Sequence, residues 1–298
     1  KPVEYWRITI GDWLGYAIHV IFDRYANLKN LKAEGFTSFF LNEKDRFIVP
    51  INTENFAKLV TEDRWNSHLY YMILNCIDNN FKIKLIEKNN TILNTTKGES
   101  NKTTFLKKYQ FILKYLNNSK SPLIISSYLG KIDEFRFNFK FRSLPYFVNT
   151  SHQTIFNPNM NERKVKLDFK CDNEFEELTA QLLIKLIPTT FLEGFKDLTS
   201  NINNFLWPSN PKFIFTSNSI FFDEKFKLYC AENKGKGTKL FIGQHGGSYG
   251  IAKKSFSENY QLSISDYFFS WGWNSTIFEK KIIPIGVISK LKKIKVDP

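Results

Sequence analysis

The sequence has few cysteines, and their placement excludes the sites that cysteines usually build. Cys76, Cys171 and Cys230 are far apart and form no Cys-x-x-Cys pair. A disulfide framework requires an even set of cysteines and a zinc site requires closely spaced ligands, so neither is indicated. His19, His68 and His152 are also scattered without metal-ligand spacing. We therefore expect no metal site, and we interpret the thiols as buried side chains of a cytoplasmic protein.

Long apolar runs are also lacking. No run approaches the roughly 18 to 20 residues that cross a bilayer, and there is no signal peptide. Any membrane contact is then expected to be peripheral, at the inner face of the cytoplasmic membrane. The lysine-rich stretch Lys280 to Lys295 is one candidate for such a contact, although a solvated edge strand explains it equally well. Because the chain opens at Lys1 without a methionine, we expect a fragment of a longer protein.

Acidic residues are outnumbered, and the formal net charge is +13 at pH 7. Such a charge favours an anionic partner: nucleic acid, a membrane or a phosphorylated substrate. The chain has no zinc-finger spacing, RNP-like stretch or arginine-rich arm, so nucleic acid is not expected. The excess of lysine among asparagine and isoleucine is equally typical of AT-rich coding, which requires no partner.

Apolar and aromatic residues are plentiful, and their spacing predicts an α/β protein. A helical period extends from Glu4 to about Leu31 and another from Thr53, an N-cap candidate, to Ile73. A helix near Thr104 to Leu116 precedes the buried strand Leu123 to Ile125, whereas Asn89 to Lys102 is predicted to be a loop. A helix followed by a buried strand is typical of α/β folds.

The second half of the chain predicts a parallel sheet. A helix is expected from Glu174 to Ile187, and a strand–helix–strand unit then consists of Phe213 to Phe215, Asp223 to Asn233 and Lys239 to Ile242. Its length is close to the roughly 30 residues usual for such units, so its strands should be parallel neighbours. Further strands are expected at Tyr267 to Ser270 and Ile282 to Val287.

Residues 147–165 are rich in Asn, Thr and Pro and lack periodicity, so they are the predicted linker. The chain is therefore divided into a helix-rich α/β lobe at residues 1–165 and an α/β lobe with a parallel sheet at residues 166–298.

Two polar loops follow the strands of the predicted unit, and ligands of open parallel sheets bind at that edge. The predicted substrate-binding residues of these loops are Thr216, Ser217, Asn218, Ser219, Gln244, Gly246, Gly247, Ser248 and Tyr249. Glycines let the backbone approach an anion and direct its amides at it. His245 would then contact a donor phosphate, as a cation or as a neutral hydrogen-bond donor. Alternatively, the glycines only form a tight loop; the run is neither a Walker loop nor Gly-x-Gly-x-x-Gly.

Carboxylates near these loops are candidates for acid–base chemistry. Glu193 lies between Pro188 and a glycine, and Asp266 lies beyond the glycine-rich loop, so each could activate an acceptor hydroxyl or act as nucleophile. A solvated glutamate is the other interpretation of Glu193. Glu258 and Asp266 are also candidates for orienting His245 or binding a ribose. Trp271 is a candidate for stacking on a base; of Trp271 and Trp273, one is expected in the core and the other in the cleft.

The runs PKFIFTSNS, KGTKLFIGQHGGSYG and SDYFFSWGW resemble a leptospiral-type transferase family encoded in bacterial O-antigen and nonulosonic-acid gene clusters. EYWRITIGDWLGY and IPTTFLEGF also fit, so the resemblance covers most of the chain. It implies a glycosyltransferase of surface-polysaccharide synthesis that acts on a glycan or lipid-linked glycan. It also implies a GT-B-like architecture of two Rossmann-like lobes, with residues 1–165 as the acceptor side and residues 166–298 as the nucleotide-sugar-binding lobe. A looser likeness to transferases that use cytidine nucleotides favours a CMP-activated Kdo-like or nonulosonic-acid donor.

No DxD-like cluster is present, so we expect neither a metal nor another cofactor in this reaction. Two alternatives remain open. A CDP-polyol phosphotransferase would use the same phosphate loop, and a non-catalytic nucleotide-binding scaffold of a polysaccharide assembly complex would bind the nucleotide without turning over a donor.

Overall fold

The structure, a computed structural model, describes residues 1–42, 47–77, 81–86, 116, 118–146, 156–165, 167–202, 207–246 and 249–287. Its helices are α1 (Val3–Ala33), α2 (Thr53–Leu59), α3 (Asp63–Leu74), α4 (Lys131–Lys140), α5 (Glu174–Leu186), α6 (Phe195–Ser200), α7 (Glu224–Lys234) and α8 (Phe256–Ile264). Its strands are β1 (Ser38–Asn42), β2 (Lys82–Ile86), β3 (Leu123–Ile125), β4 (Phe213–Thr216), β5 (Lys239–Gly243), β6 (Tyr267–Ser270) and β7 (Ile282–Pro284). The loop predicted at 89–102, the helix predicted at 104–116 except its last residue, and residues 147–155 of the predicted linker lie outside this description.

The chain divides into two compact units. The sheet unit contains Lys1–Asp12, Glu99–His152 and Thr199–Pro298, and the second unit contains Trp13–Gly98 and Gln153–Leu198. The lobe boundaries at 1–165 and 166–298 stay a prediction. None of the described helices is long and apolar enough to cross a membrane.

In the second unit, the helix predicted from Thr53 to Ile73 is divided into α2 and α3. The chain turns after Leu59, and α3 begins at Asp63. The N-cap is Asn52, whose side chain accepts a hydrogen bond from the amide of Asn55 at 2.6 Å, so the prediction of Thr53 was wrong. Thr53 is fully buried instead. Asparagine caps helices well because its short side chain reaches the unpaired amides of the first turn.

The five strands of the sheet unit are all parallel and lie in the order β3-β4-β5-β6-β7. The predicted pairing of β4 with β5 is confirmed. β3, which belongs to the predicted first lobe, pairs with β4. β7 is shorter than predicted and ends at Pro284, a residue with no N–H to donate to a ladder. These parallel strands and the intervening helices confirm the α/β class.

The two faces of this sheet bury different side chains. Ile214, Leu240, Ile242 and Phe268 are at most 1% exposed and form the core of one face. The other face carries an aromatic row, listed here along the sheet: Phe213, Phe215, Phe241, Tyr267 and Phe269. The alternation follows from the period of two in a strand, and it leaves α4 to pack against the aromatic row through Phe141.

Candidate active site at the carboxyl edge of the sheet

Because all five strands are parallel, the loops that follow β3, β4, β5 and β6 lie at one edge of the sheet. The predicted loops after β4 and β5 are therefore neighbours, as their pairing register requires. We call this edge the loop edge. The loop after β3, which the sequence analysis did not assign to the site, joins them.

The loop after β4 is held by its own side chains. The hydroxyl of Thr216 accepts hydrogen bonds from the amides of Asn218 and Ser219 at 3.3 and 3.0 Å. The hydroxyl of Ser217 donates to the carbonyl of Ser127 at 3.1 Å. Thr216 and Ser217 are fully buried, whereas Asn218 is exposed. Of the predicted residues in this loop, Asn218 is therefore the one that presents its side chain to solvent, while Thr216 and Ser217 shape the loop.

The loop after β3 has an unusual backbone. Ser126 and Tyr128 have φ angles of 49° and 60°, in the left-handed region that non-glycine residues rarely adopt. Such strain costs about 1 to 3 kcal/mol for each residue and concentrates at functional sites. The hydroxyl of Ser219 donates to that of Ser126 at 2.9 Å, and Ser127 donates to the carboxylate of Glu134. The sequence does not point to this loop, because no residue type in it signals a left-handed backbone.

Gln244 is a structural residue of the loop edge. Its side-chain oxygen accepts hydrogen bonds from the amide of Trp271 at 2.9 Å and from the indole of Trp273 at 2.8 Å. Its side chain is 3% exposed, so it connects the loops after β5 and β6. Glu258 acts similarly, since its carboxylate accepts from the amide of Gly250 at 2.6 Å. Trp271 is 37% exposed, as a stacking role requires, and Trp273 packs on Phe268.

The rest of the glycine-rich loop combines one open backbone position with one anchor. Gly246 has a φ of 144°, and no atom lies within 4 Å of the Cβ that another residue would carry there. Tyr249 is buried, and its hydroxyl accepts a hydrogen bond from the side chain of Gln261 at 2.7 Å. Gly247 and Ser248 lie outside the described residues.

His245 lies at the centre of these loops. Its ring is 5.1 Å from Phe221, 5.6 Å from Tyr249 and 6.2 Å from Tyr128, between ring centroids. Burial among these rings lowers the pKa of the imidazole, which is therefore neutral at pH 7. Within the described part of the chain, no group hydrogen-bonds to its buried Nδ1 atom. A buried polar atom without a hydrogen bond destabilises the folded protein, and a ligand that hydrogen-bonds to it removes this destabilisation.

Asp266 lies at the opposite edge of the sheet, because it precedes β6 and accepts a hydrogen bond from the amide of Leu240 near the start of β5. Its carboxylate is also 2.9 Å from the Lys234 ammonium and 3.2 Å from that of Lys239. Burial raises its pKa, but the hydrogen bonds from Leu240 and Lys234 outweigh burial and the pKa is lowered. The structure does not bring Asp266 to His245.

Glu193 belongs to the second unit and is one half of a buried ion pair. Its two oxygens accept from Nε and Nη2 of Arg163, both at 2.7 Å, and one of them also accepts from the amide of Asn159. The side chains of Arg163 and Glu193 are 1% and 8% exposed. Burial raises the pKa of Glu193, but the hydrogen bonds from Arg163 and from backbone amides, together with the charge of Arg163, outweigh burial, and the pKa is lowered. This geometry holds an ionised carboxylate in place.

A buried charge cluster supports the loop edge from within the sheet unit. The Lys227 ammonium is fully buried, lies 3.7 Å from the carboxylate of Glu224, and donates to the carbonyl of Phe221 at 3.2 Å. Asp12 interacts with both charges, and burial raises its pKa to about 6. Since the ring of Phe221 contacts His245, this cluster fixes one wall of the histidine site. Sequence reasoning missed Asp12, which looked like an ordinary polar residue of a long helix.

An apolar cavity of about 420 Å³ lies on the aromatic side of the sheet. Its lining residues are Leu129, Phe137, Phe141, Phe213, Phe215, Phe241, Phe269 and Ile285. Leu129 and Ile285 follow β3 and β7, so the cavity extends to the loop edge.

Comparison with known proteins identifies one relationship. The model of a family described as LIC12162 family transferase matches residues 1–297. No curated protein and no solved structure matches the chain significantly.

Proposed function

The chain belongs to the LIC12162 family of transferases, and we propose that it transfers a sugar from a nucleotide donor during bacterial surface-polysaccharide synthesis. The acceptor is a glycan or a lipid-linked glycan of the O-antigen or capsule type. A CMP-activated Kdo-like or nonulosonic-acid sugar is the proposed donor. The proposal includes a GT-B-like architecture with two Rossmann-like lobes and a reaction that needs neither a metal nor another cofactor.

The environment of His245 is the observation that carries this proposal. A neutral imidazole, whose buried Nδ1 has no hydrogen-bond partner among the described residues, lies among loops that offer hydroxyls and backbone amides. Phosphate oxygens accept hydrogen bonds from such groups, and the open backbone at Gly246 admits them closely. We place the donor phosphate at the loop edge, near Asn218, Ser126 and the amides around Gly246. Trp271 is the exposed ring on which the base would stack.

In the proposed reaction, the acceptor hydroxyl oxygen forms a bond to the anomeric carbon while the bond from that carbon to the phosphate oxygen breaks. The electron pair of the broken bond goes to the phosphate oxygen. The N–H of neutral His245 donates a hydrogen bond to the departing phosphate and stabilises the charge that develops there. The acceptor proton goes to water. We do not assign Glu193 or Asp266 as the base, because ion pairs with Arg163 and Lys234 occupy their oxygens and lower the pKa of both carboxyls.

Nucleotide binding is tested first, by thermal shift with CMP, CDP, UDP and GDP. A ligand at about 100 times its Kd stabilises the native state by about 2.7 kcal/mol, so the correct nucleotide raises Tm and the others do not. No shift with any of the four nucleotides would contradict a donor site.

Replacement of His245 by alanine tests the leaving-group role. We expect turnover of the donor to fall by at least about 100-fold, the loss usual for such stabilising groups. The exposed His19 supplies a matched control, and His19→Ala should retain normal turnover. Near-normal turnover of His245→Ala would exclude the assigned role.

The pH dependence of binding gives a second measurement at the same residue. Because burial lowers the pKa of His245 in the free protein, a bound phosphate dianion should raise it again. Binding then takes up protons, so the affinity for the nucleotide should increase as the pH falls through the usual histidine range. The increase should disappear in His245→Ala.

Product analysis separates the alternative functions. Incubation with a CDP-polyol would yield a polyol phosphate ester if the protein is a phosphotransferase, and incubation with a CMP-sugar would yield a glycoside if it is a glycosyltransferase. Nucleotide binding without turnover of either donor would indicate a scaffold.

A further inference from the structure

Helix α4 carries apolar side chains on two opposite sides. Its inner side packs on the sheet, where the ring of Phe141, directly after the helix, lies 5.1 Å from that of Phe213, and Phe137 lines the apolar cavity. These contacts attach the helix to the sheet unit. The outer side chains are therefore not needed to hold α4 in place.

The outer side is an exposed apolar stripe. Ile132, Phe135 and Phe139 are 68%, 49% and 70% exposed. Their spacing of three and four residues puts them on one face of a helix. The rings of Phe135 and Phe139 stack with centroids 6.4 Å apart. Exposed large side chains that occur singly are ordinary, but a contiguous stripe of them marks an interaction surface.

Cations border this stripe on both sides. Helical periodicity puts Arg136 and Lys140 along one flank and Lys131 along the other. Arg142 follows the helix with a φ of 54°, and all four side chains are exposed. The acidic residues of the helix are already engaged: Asp133 lies 3.7 Å from Arg136, and Glu134 accepts from Ser127. An apolar stripe between two rows of cations is the pattern of a helix that lies in a membrane interface.

We propose that α4 docks the protein on the surface of an anionic lipid bilayer, with the stripe among the acyl chains and the four cations at the lipid phosphates. Charge complementarity favours this occupant over a second copy of the chain, because two copies meeting through α4 would bring the same cations together. The net charge of +13 adds long-range attraction to the same surface. The inference goes beyond the proposed function and does not depend on the donor.

The membrane contact considered from sequence lay elsewhere, at Lys280 to Lys295, and residues 288–295 of that stretch are outside the described chain. The α4 surface is not evident from the sequence because Phe135, Phe137, Phe139 and Phe141 alternate with polar residues, which is the period of a strand and not of a helix. Only the contacts of Phe137 and Phe141 on the sheet side distinguish the inner side of the helix from the outer one.

Vesicle sedimentation tests the proposal with the full chain. We expect binding to phosphatidylcholine vesicles that contain phosphatidylglycerol and little binding to phosphatidylcholine alone. The double variant Phe135→Ser, Phe139→Ser should bind vesicles at least about tenfold more weakly, because it lacks the two rings that enter the bilayer. Lys140→Glu combined with Arg142→Glu should weaken binding by a similar factor or more, since each cation near the surface contributes about fivefold.

Ile277→Ser is the matched control, because Ile277 is 82% exposed and lies outside α4. It should leave vesicle binding unchanged. The thermal shift with nucleotide should be retained in the α4 variants, which shows that they are folded, and His245→Ala should still bind vesicles. Failure of the proposed reaction and failure of membrane docking are thus distinguishable.

Three results would overturn the proposal: no binding to either vesicle type, an equal loss of binding in Ile277→Ser, or a dimer in solution that Phe135→Ser dissociates. The last would identify the stripe as a contact between copies of the chain.

Discussion

Glu193 and His245 were predicted as catalytic residues from similar arguments, but their surroundings differ. The two carboxylate oxygens of Glu193 are occupied by Arg163 and by a backbone amide. The imidazole of His245 has a nitrogen without a partner among the described residues. A side chain whose hydrogen bonds are satisfied holds structure, whereas one that is left incomplete can bind a ligand. This contrast concentrates the proposed chemistry on His245.

Removal of Glu193 should mainly cost stability. Glu193→Ala leaves the buried guanidinium of Arg163 without its counterion, so we expect the free energy of unfolding to fall by about 3 to 5 kcal/mol. Glu54→Ala, which removes an exposed pair with Lys58, should cost less than about 1 kcal/mol. Urea denaturation measures both. A stable Glu193→Ala variant with lost turnover would instead support a catalytic role.

The same carboxylate predicts a pH dependence of stability. The folded-state pKa of Glu193 lies below the usual pKa of a glutamate. The contribution of ionised Glu193 to stability is therefore fully present above the usual pKa of a glutamate. It is lost as the pH falls through the lower, folded-state pKa. Acid denaturation should be less steep in Glu193→Ala than in the wild type. Equal slopes for the two proteins would argue against the ion pair.

Gly250 is required at its position for two separate reasons. Its φ is 73°, and a Cβ there would overlap the indole ring of Trp273. Gly250→Ala should therefore lose about 1 to 2 kcal/mol from the left-handed backbone and about 1 to 3 kcal/mol more from overpacking. Gly237→Ala is the control, since Gly237 has a φ of 94° but open space around it. Urea unfolding and the tryptophan emission near Trp273 check the difference; equal losses for the two variants would contradict the steric contribution.

At the scale of elements, periodicity alone joined α2 and α3 into one helix. The apolar positions of α2 and α3 are out of phase, since Phe56 and Trp65 are about two and a half helical turns apart. The change of phase marks the break, but a count of apolar residues at short intervals does not register it. Asn52 does signal the start of α2, but its advantage over Thr53 depends on which residue leaves the helical backbone conformation first. Short apolar runs gave better predictions for β3 to β6, because a strand buried on both faces needs little else to identify it.

Helix α7 contributes the buried cation that supports the loop edge. Lys227→Met removes the positive charge beside Glu224 and Asp12, and we expect a loss of about 3 to 5 kcal/mol because both carboxylates stay buried. The exposed Lys236 gives a control, Lys236→Met, expected within about 0.5 kcal/mol of wild type. Thermal or urea unfolding provides the comparison. Equal stability of the two variants would show that the charge of Lys227 does not stabilise the buried carboxylates.

At the scale of the whole molecule, the net charge of +13 should accelerate the binding of anionic nucleotides. Salt shortens the screening length from about 30 Å at 10 mM to about 10 Å at 100 mM, so the association rate for CMP should fall severalfold over that range. Uncharged cytidine is the control and should show little change. Stopped-flow mixing measures the association rates of both ligands. A salt-independent rate for CMP would favour the interpretation that the lysine excess follows from AT-rich coding.

Composition and local pattern by themselves determined the α/β class, the parallel pairing of β4 with β5, and the position of the glycine-rich loop at the carboxyl edge. These properties depend on short-range periodicity and on the general geometry of parallel sheets. The sequence also indicated His245, because the glycines that follow it in the chain expose the backbone.

Only the tertiary structure decided which polar side chains are free to act. Gln244, Ser217 and Glu258 have the same residue types as ligand-binding groups, yet each bonds to a loop of the protein itself. The left-handed Ser126 and Tyr128, the placement of Asp266 at the far edge, and the outward stripe of α4 were likewise undetermined by pattern. The physical reason is that hydrogen-bond partners and burial come from segments distant in the chain, so the local sequence contains the donors and acceptors but not their pairing.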